Sequence, residues 1–341
     1  MDVTLITETL DPMLGGIPRY NFEISKIKEL KNVINFSKTL KNEGLLDKYL
    51  NKVYRRKRIL EEYKKDLGQI LHFTQPEIMF KSNILKGKKV VLTVHDLAVF
   101  GTMKVKSLYG RLRGISFRSQ FRFAVERADI IMTNSTQTRD ELVDILGVDP
   151  GKIVVQNHGI DEKFKPKDTK KDNVIGYFGG FDRRKRVKKL VEDFIASTFS
   201  NDMKLIIYGS DKGDYHTIKE RYKSFSNVIF KDRIPEEKLV DTINEFQYFV
   251  YPTSYEGFGL PLLECIACGI PSFIYEDGEL PAEVRKYALV IRNLDEIKKT
   301  EYKELEKDFK SRSEQVKKEF SWEKTRAGTL EQYQKLEAKT I

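Results

Sequence analysis

The sequence predicts an α/β protein made of two parallel-sheet domains in tandem. Three observations carry this. Short, β-rich apolar runs alternate with helical patterns, as in sheets whose parallel strands are joined by crossover helices. The chain has 341 residues, too many for one small core and suited to two domains. The segment 164–172, FKPKDTKKD, is charged, holds a proline, lacks an apolar period and reads as a linker between two such halves.

The elements follow in order. Strands of a first half are expected at Val3–Thr7, Val33–Phe36, Ile70–Phe73, Val90–Val94, Ile130–Thr133 and Ile153–Val155. Strands of a second half are expected at Val174–Phe178, Leu205–Tyr208, Val228–Phe230, Tyr248–Tyr251, Ser272–Ile274 and Leu289–Ile291. The domains are expected at 1–165 and 172–321. The chain closes with FSWEKTRAGTLEQYQKLEAKT, an amphipathic helix with Trp322 near its start. Ligands of such sheets bind outside the carboxyl ends of the strands, so the loops there are where chemistry is sought.

Composition narrows the classes. Apolar residues make up 40% and charged residues 33%, which suits a soluble globular chain. No run approaches the ~20 apolar residues that a membrane-spanning helix needs. The start, MDVTLITETLDPMLGG, lacks the basic head and long apolar core of a secretory signal, and a reducing cytoplasmic location is expected. Cys265 and Cys268 form a C-x-x-C with no second pair to complete a zinc site, and read as helix packing. The net charge of +10 suits nucleic acid, a diphosphate ligand or an anionic membrane, and lysine-rich solvated helix faces account for much of it.

The segment 251–271, YPTSYEGFGLPLLECIACGIP, is the most informative. Two carboxylates, Glu256 and Glu264, flank the turn Gly257-Phe258-Gly259-Leu260-Pro261, which feeds an apolar helix. A carboxylate at such a turn accepts hydrogen bonds from sugar hydroxyls. Backbone N–H groups at the helix start suit phosphate oxygens. The second carboxylate, two helical turns on, is expected on the same face, within reach of a ribose diol. The bland alternative is an exposed turn before an ordinary amphipathic helix.

This string resembles the signature of the retaining glycosyltransferases of the GT-B fold, family four: Glu, seven residues, Glu, around a Gly-Phe-Gly-x-Pro core. Other landmarks resemble the family over about 1–30 and 70–335. The resemblance implies two Rossmann-like domains facing each other across a cleft, with a C-terminal helix at about 322–341 crossing back onto the first. It implies that Glu256 positions the hexose, that Glu264 holds the ribose, and that Gly257, Phe258, Gly259 and Leu260 line the donor. Gly15-Gly16, before Ile17-Pro18-Arg19-Tyr20 and a helix expected to about Leu30, resembles the family's Gly-Gly-x-x-Arg-Tyr run near the donor diphosphate. His95, just past the Val90–Val94 strand in VVLTVHDL, resembles the family histidine that approaches the transferring sugar. Asp96 orients that loop or caps the next helix.

Ile175 to Phe194, IGYFGGFDRRKRVKKLVEDF, resembles the strand and turn that supply a lysine and an arginine to the diphosphate. Lys185 matches the lysine. Gly180 stands where the family often has arginine, so Arg184 or Arg183 is expected to supply that charge. Asn157-His158-Gly159 stands for a more usual Pro-Asn-Gly, and Asp232 stands where a glycine is common.

These features predict transfer of a hexose from a UDP- or GDP-linked donor to a hydroxyl of a glycan or lipid-linked acceptor. Retention comes from the resemblance. No paired-Asp metal motif is evident, so neither metal nor other cofactor is expected, and His95, Lys185 and Glu256 are the catalytic candidates. The alternatives are a nucleic-acid binder on a degenerate fold of this kind, or a sugar phosphorylase or epimerase. On the acceptor side, Lys104, Lys106, Arg111, Arg113, Arg118 and Arg122 interleave with Phe117, Phe121 and Phe123, and a second basic run spans Lys52 to Lys65. Basic amphipathic helices there suit peripheral docking on anionic lipid, against the plainer reading of two solvated helices on the core.

Overall fold

The computed structural model describes residues 1–39, 45–101, 108–169, 171, 173–209 and 213–338. It divides into two compact units. Unit 1 is Met1–His158 with Trp322–Ile341, and unit 2 is Gly159–Ser321. The division falls before the charged segment 164–172 because the apolar residues just before it and at its start belong to unit 2. Ile160 and Phe164 are buried in the unit 2 core. Lys167 and Thr169 are then tied to Asn244, Lys167 N–H to its side chain at 2.8 Å and Thr169 Oγ1 to its carbonyl at 2.8 Å.

Unit 1 holds a parallel sheet of β1 (Val3–Thr7), β2 (Asn32–Asn35), β3 (Ile70–Phe73), β4 (Lys89–Val94), β5 (Ile130–Thr133) and β6 (Ile153–Val155). The strand order is β2-β1-β3-β4-β5-β6. Successive side chains of a strand point to opposite faces, and here both faces are covered. Ile6, Leu71, Phe73, Val90 and Leu92 join one apolar cluster. Val3, Leu5, Ile70 and Val91 join another, with Tyr20, Trp322, Tyr333 and Leu336 from helices Gly16–Ile24 and Trp322–Ala338. The first helix stops at Ile24, short of Leu30, because the chain must turn: Ser25 N–H closes back on Asn21 O at 3.0 Å, and Lys31 N–H already pairs with Val3 O at 2.9 Å. β2 lies one residue earlier than expected, since Phe36 leaves the ladder to bury itself in a 3-10 turn.

Unit 2 holds β7 (Val174–Phe178), β8 (Lys204–Gly209), β9 (Val228–Asp232), β10 (Tyr248–Tyr251), β11 (Ser272–Tyr275) and β12 (Leu289–Ile291). The order β12-β11-β10-β7-β8-β9 is that of a doubly wound dinucleotide fold, and every pairing is parallel. Its direction of winding reverses between β7 and β10, so the loops leaving those two strands diverge and open a crevice at their carboxyl ends.

Candidate functional site

The two loops at the β7/β10 reversal are knitted together. Arg184 and Lys185 come from the turn after β7, and Glu256 from the loop after β10. Lys185 Nζ donates to Glu256 Oε1 at 2.5 Å and to Tyr251 Oη at 2.9 Å. Thr253 Oγ1 donates to the same carboxylate oxygen at 2.7 Å, and Tyr251 Oη at 3.0 Å. Arg184 reaches Glu256 Oε2 at 3.3 Å. Burial by itself pushes the Glu256 carboxyl upward. The Lys185 and Arg184 charges, with hydrogen bonds from Lys185 and Thr253, outweigh it and hold the group below its ordinary value. Burial, then the Glu256 charge, pushes the Tyr251 phenol well up, so it stays a donor.

The backbone is tied as firmly. Ser254 N–H donates to Arg184 O at 2.7 Å, and Glu256 N–H to Glu279 O at 2.9 Å. Arg186 donates to Pro252 O at 2.6 Å and Thr253 O at 2.9 Å, and pairs with Asp277 at 2.7 Å. Arg186 has φ +47°, a left-handed conformation that costs a non-glycine residue about 1 kcal/mol or more. Its three anchors are what hold it there.

Of the two candidates for the missing arginine, Arg184 is beside the carboxylate and Arg183 is exposed. Gly180 lies close by: a Cβ there would stand 3.9 Å from Lys185 Cγ. The Leu260–Ala267 helix begins after Gly259, whose φ of +103° only glycine adopts without strain. The expectation that Glu256 and Glu264 share a helix face is corrected. Glu256 lies four residues before the helix, held by an isolated bridge between Tyr255 and Glu279, while Glu264 is inside the helix and buried. Gly257 and Phe258 belong to the turn between them, where Phe258 joins the unit 2 core. Cys265 and Cys268 are free and buried, and burial pushes both thiols up, which fits packing and not redox chemistry. No group of three or more His, Cys, Asp or Glu among the described residues is placed to hold a metal ion.

In unit 1 the loops after β1, β3 and β4 carry the candidates. Gly15, with φ +135°, precedes the Gly16–Ile24 helix, and no atom would meet a Cβ built on it within 4 Å. His95 follows β4 and is buried. Its Nε2 faces Thr74 O at 3.0 Å, so Nε2 carries the proton, and its Nδ1 accepts from His158 Nε2 at 3.2 Å. The expected approach of His95 to a sugar therefore meets a ring whose nitrogens are both engaged within unit 1. Burial pushes His95 down to about 4 against the Thr74 bond, and burial with the His95 charge pushes His158 well down, so both are neutral. Tyr20 packs edge-on against His95, 5.0 Å between ring centres, and donates or accepts at Thr93 Oγ1 at 2.9 Å. His72 joins that hydroxyl at 2.7 Å and Tyr333 of the closing helix at 2.5 Å. Asp96 accepts from Ala98 N–H at 3.1 Å and so caps the next turn.

Sequence reasoning missed Tyr251, Thr253 and Arg186, which no spacing singles out, though the first two lie only five and three residues before Glu256. It also missed Glu77, in the turn after β3. Burial, then the Asp96 and Glu8 charges, push its carboxyl up to about 7 against a backbone hydrogen bond and Arg56.

Two doubly wound units, with a cation–carboxylate cluster at the reversal point of the second, define a GT-B glycosyltransferase. The family model "Glycosyltransferase Family 4" matches residues 17–164, and "Glycosyl transferases group 1" matches 160–318. The chain belongs to this family, the group 1, family-four glycosyltransferases, and moves a sugar from a nucleotide-sugar donor. It is 24% identical to O-antigen chain mannosyltransferase B of Escherichia coli, over 98% of this chain and 100% of that one. Its fold is similar to sucrose-phosphate synthase of Thermosynechococcus elongatus, with TM-score 0.76, 16% identity and coverage of 99% and 100%. It is similar also to HepE of Anabaena, solved with UDP and glucose, with TM-score 0.72, 12% identity and coverage of 98% and 99%. No helix among the described residues is long and apolar enough to cross a membrane.

Proposed function

We propose that the protein transfers a hexose, with retention of anomeric configuration and without a metal ion, from a nucleoside-diphosphate sugar to a hydroxyl of a glycan or lipid-linked acceptor. The observation that carries the reading is the buried Lys185–Glu256 pair at the β7/β10 reversal, with Arg184 beside it. A diphosphate leaving group accumulates negative charge as the glycosidic bond breaks. Lys185 and Arg184, already held at the carboxyl end of β7, meet that charge. Glu256, freed from Lys185 by the arriving phosphate, turns its oxygens to hexose hydroxyls. Glu264 takes the ribose diol, and the N–H groups of 257–260 take phosphate oxygens. The full-length likeness to a mannosyltransferase makes mannose the first hexose to test.

On the acceptor side, the Leu45–Glu62 helix turns Arg56, Ile59 and Leu60 inward, with Arg56 paired to Glu8. Its exposed face carries Tyr54, Lys57 and Arg58. That face supports peripheral contact with anionic lipid. Phe117, Phe121 and Phe123 instead pack on the unit 1 core. Lys104 and Lys106, and the side chains of Leu50, Lys52, Arg111 and Arg113, lie outside the described residues.

The test is a transfer and donor-hydrolysis screen across UDP-, GDP- and ADP-sugars in chelator, with the product anomer read by NMR. An inverted product refutes retention. Sugar 1-phosphate formed from inorganic phosphate favours the phosphorylase alternative. A thermal shift with oligonucleotides and none with nucleoside diphosphates favours the nucleic-acid binder.

A further inference from the structure

The donor's base is left open by the cation–carboxylate cluster, which reads only the diphosphate and the sugar. The sheet of unit 2 supplies a place for the base. From β10 the order runs β10-β7-β8-β9, so the end of β9 stands three strands from the Glu256 loop. At the spacing of neighbouring strands this is about 14 Å. A nucleoside diphosphate sugar laid along the carboxyl ends of these strands, with its hexose at Glu256, carries its base toward β8 and β9. The last residue of β9 is Asp232, in register with Gly209 at the end of β8. Asp232 is exposed. Among the described residues it enters no ion pair. Its neighbour Lys231 projects from the opposite face of the strand and lies over the Tyr208 ring at 5.4 Å.

We propose that Asp232 is a specificity-determining residue that selects a guanine nucleotide, an inference that rests on the donor reading above. An ionised carboxylate only accepts hydrogen bonds. Guanine presents two adjacent donors, N1–H and the exocyclic amino group, which match the two oxygens of one carboxylate. Uracil offers a single N–H between two carbonyl oxygens, and adenine an amino group beside an acceptor nitrogen. Each sets a lone pair against the carboxylate. A bidentate contact of this kind discriminates by roughly 10-fold or more.

The experiment is calorimetric titration of the full chain with GDP, IDP, UDP and ADP, for the wild type and for Asp232→Ala and Asp232→Asn. Inosine lacks the exocyclic amino group and keeps N1–H, so it isolates one of the two bonds. The expected result is GDP bound roughly 10-fold more tightly than UDP or ADP, with IDP between. Asp232→Ala should remove the preference by weakening GDP alone. Unchanged UDP and ADP affinities in the variants show that they are folded. If a diphosphate binds with no preference for guanine, or if Asp232→Ala leaves GDP affinity unchanged, the assignment falls while the transferase reading stands. If none of the four binds, both fall.

Discussion

Lys185→Ala is the perturbation that most directly tests the cluster. It removes a charge 2.5 Å from Glu256 Oε1, in a pair whose side chains are only 11% and 8% exposed, so solvent screens it little. Removing one partner of a buried pair costs about 3–5 kcal/mol. Arg184 at 3.3 Å and the Tyr251 and Thr253 hydroxyls remain on the carboxylate, so the low end is expected. For a domain the size of unit 2, each kcal/mol lowers Tm by about 2–4 °C, which gives roughly 6–12 °C. The pH dependence carries the signature. In the wild type Glu256 lies below its ordinary value, so its stabilisation is present above the unfolded pKa of about 4.3 and is lost as pH falls through the folded one. Without Lys185, burial prevails and the folded pKa rises. Protonation then relieves the variant, and the Tm gap to wild type narrows as pH is lowered from 7 toward 4. Thermal denaturation of the full chain across that range checks this, with Lys185→Met as a second variant that keeps most of the side-chain volume. Turnover at saturating donor should fall on the order of 100-fold. A gap that does not change with pH, together with near wild-type turnover, would refute the electrostatic account.

Glu264→Ala should mainly weaken donor binding, whereas Glu256→Ala should lower both binding and turnover; steady-state kinetics giving the reverse pattern would exchange their roles. Transfer should persist in chelator, and complete loss restored by manganese would place the reaction in another catalytic class. The neutral histidines of unit 1 should make it acid-sensitive: His72 is pushed down to about 3 and His95 to about 4, mainly by burial, so stability is lost as pH falls from about 6.5 toward those values. His72→Gln should flatten the Tm–pH curve over that window, and an unaltered slope would exclude His72 as a contributor. Co-sedimentation with anionic vesicles at low salt should detect the Tyr54, Lys57 and Arg58 face, and should weaken at high salt; no binding at low salt favours a soluble acceptor.

Most of the fold was legible because it rests on local rules. Tyr248–Tyr251 is apolar throughout and Ile70–Phe73 is apolar but for His72, the pattern of strands covered on both faces, and the structure places strands at those residues. The motif from Glu256 to Pro261 was legible because a glycine with φ +103° and a proline in the first helical turn leave few other conformations. What sequence could not supply was any pairing set by the sheet order. Lys185 and Glu256 are far apart in the chain and meet because β7 and β10 are neighbours at the reversal of winding. The same order brings Arg184, Tyr251 and Thr253 together around Glu256 and gives Arg186 its carbonyl partners. His95 shows the other direction: its position after β4 was evident from sequence, but its engagement by Thr74 and His158 depends on loops that only the folded sheet brings together. The sequence alone determined the elements, the family and the residue types at the strand ends, because those depend on neighbours a few positions away. The tertiary structure decided which of those residues touch, because contact across parallel strands is set by strand order and register, which no local pattern encodes.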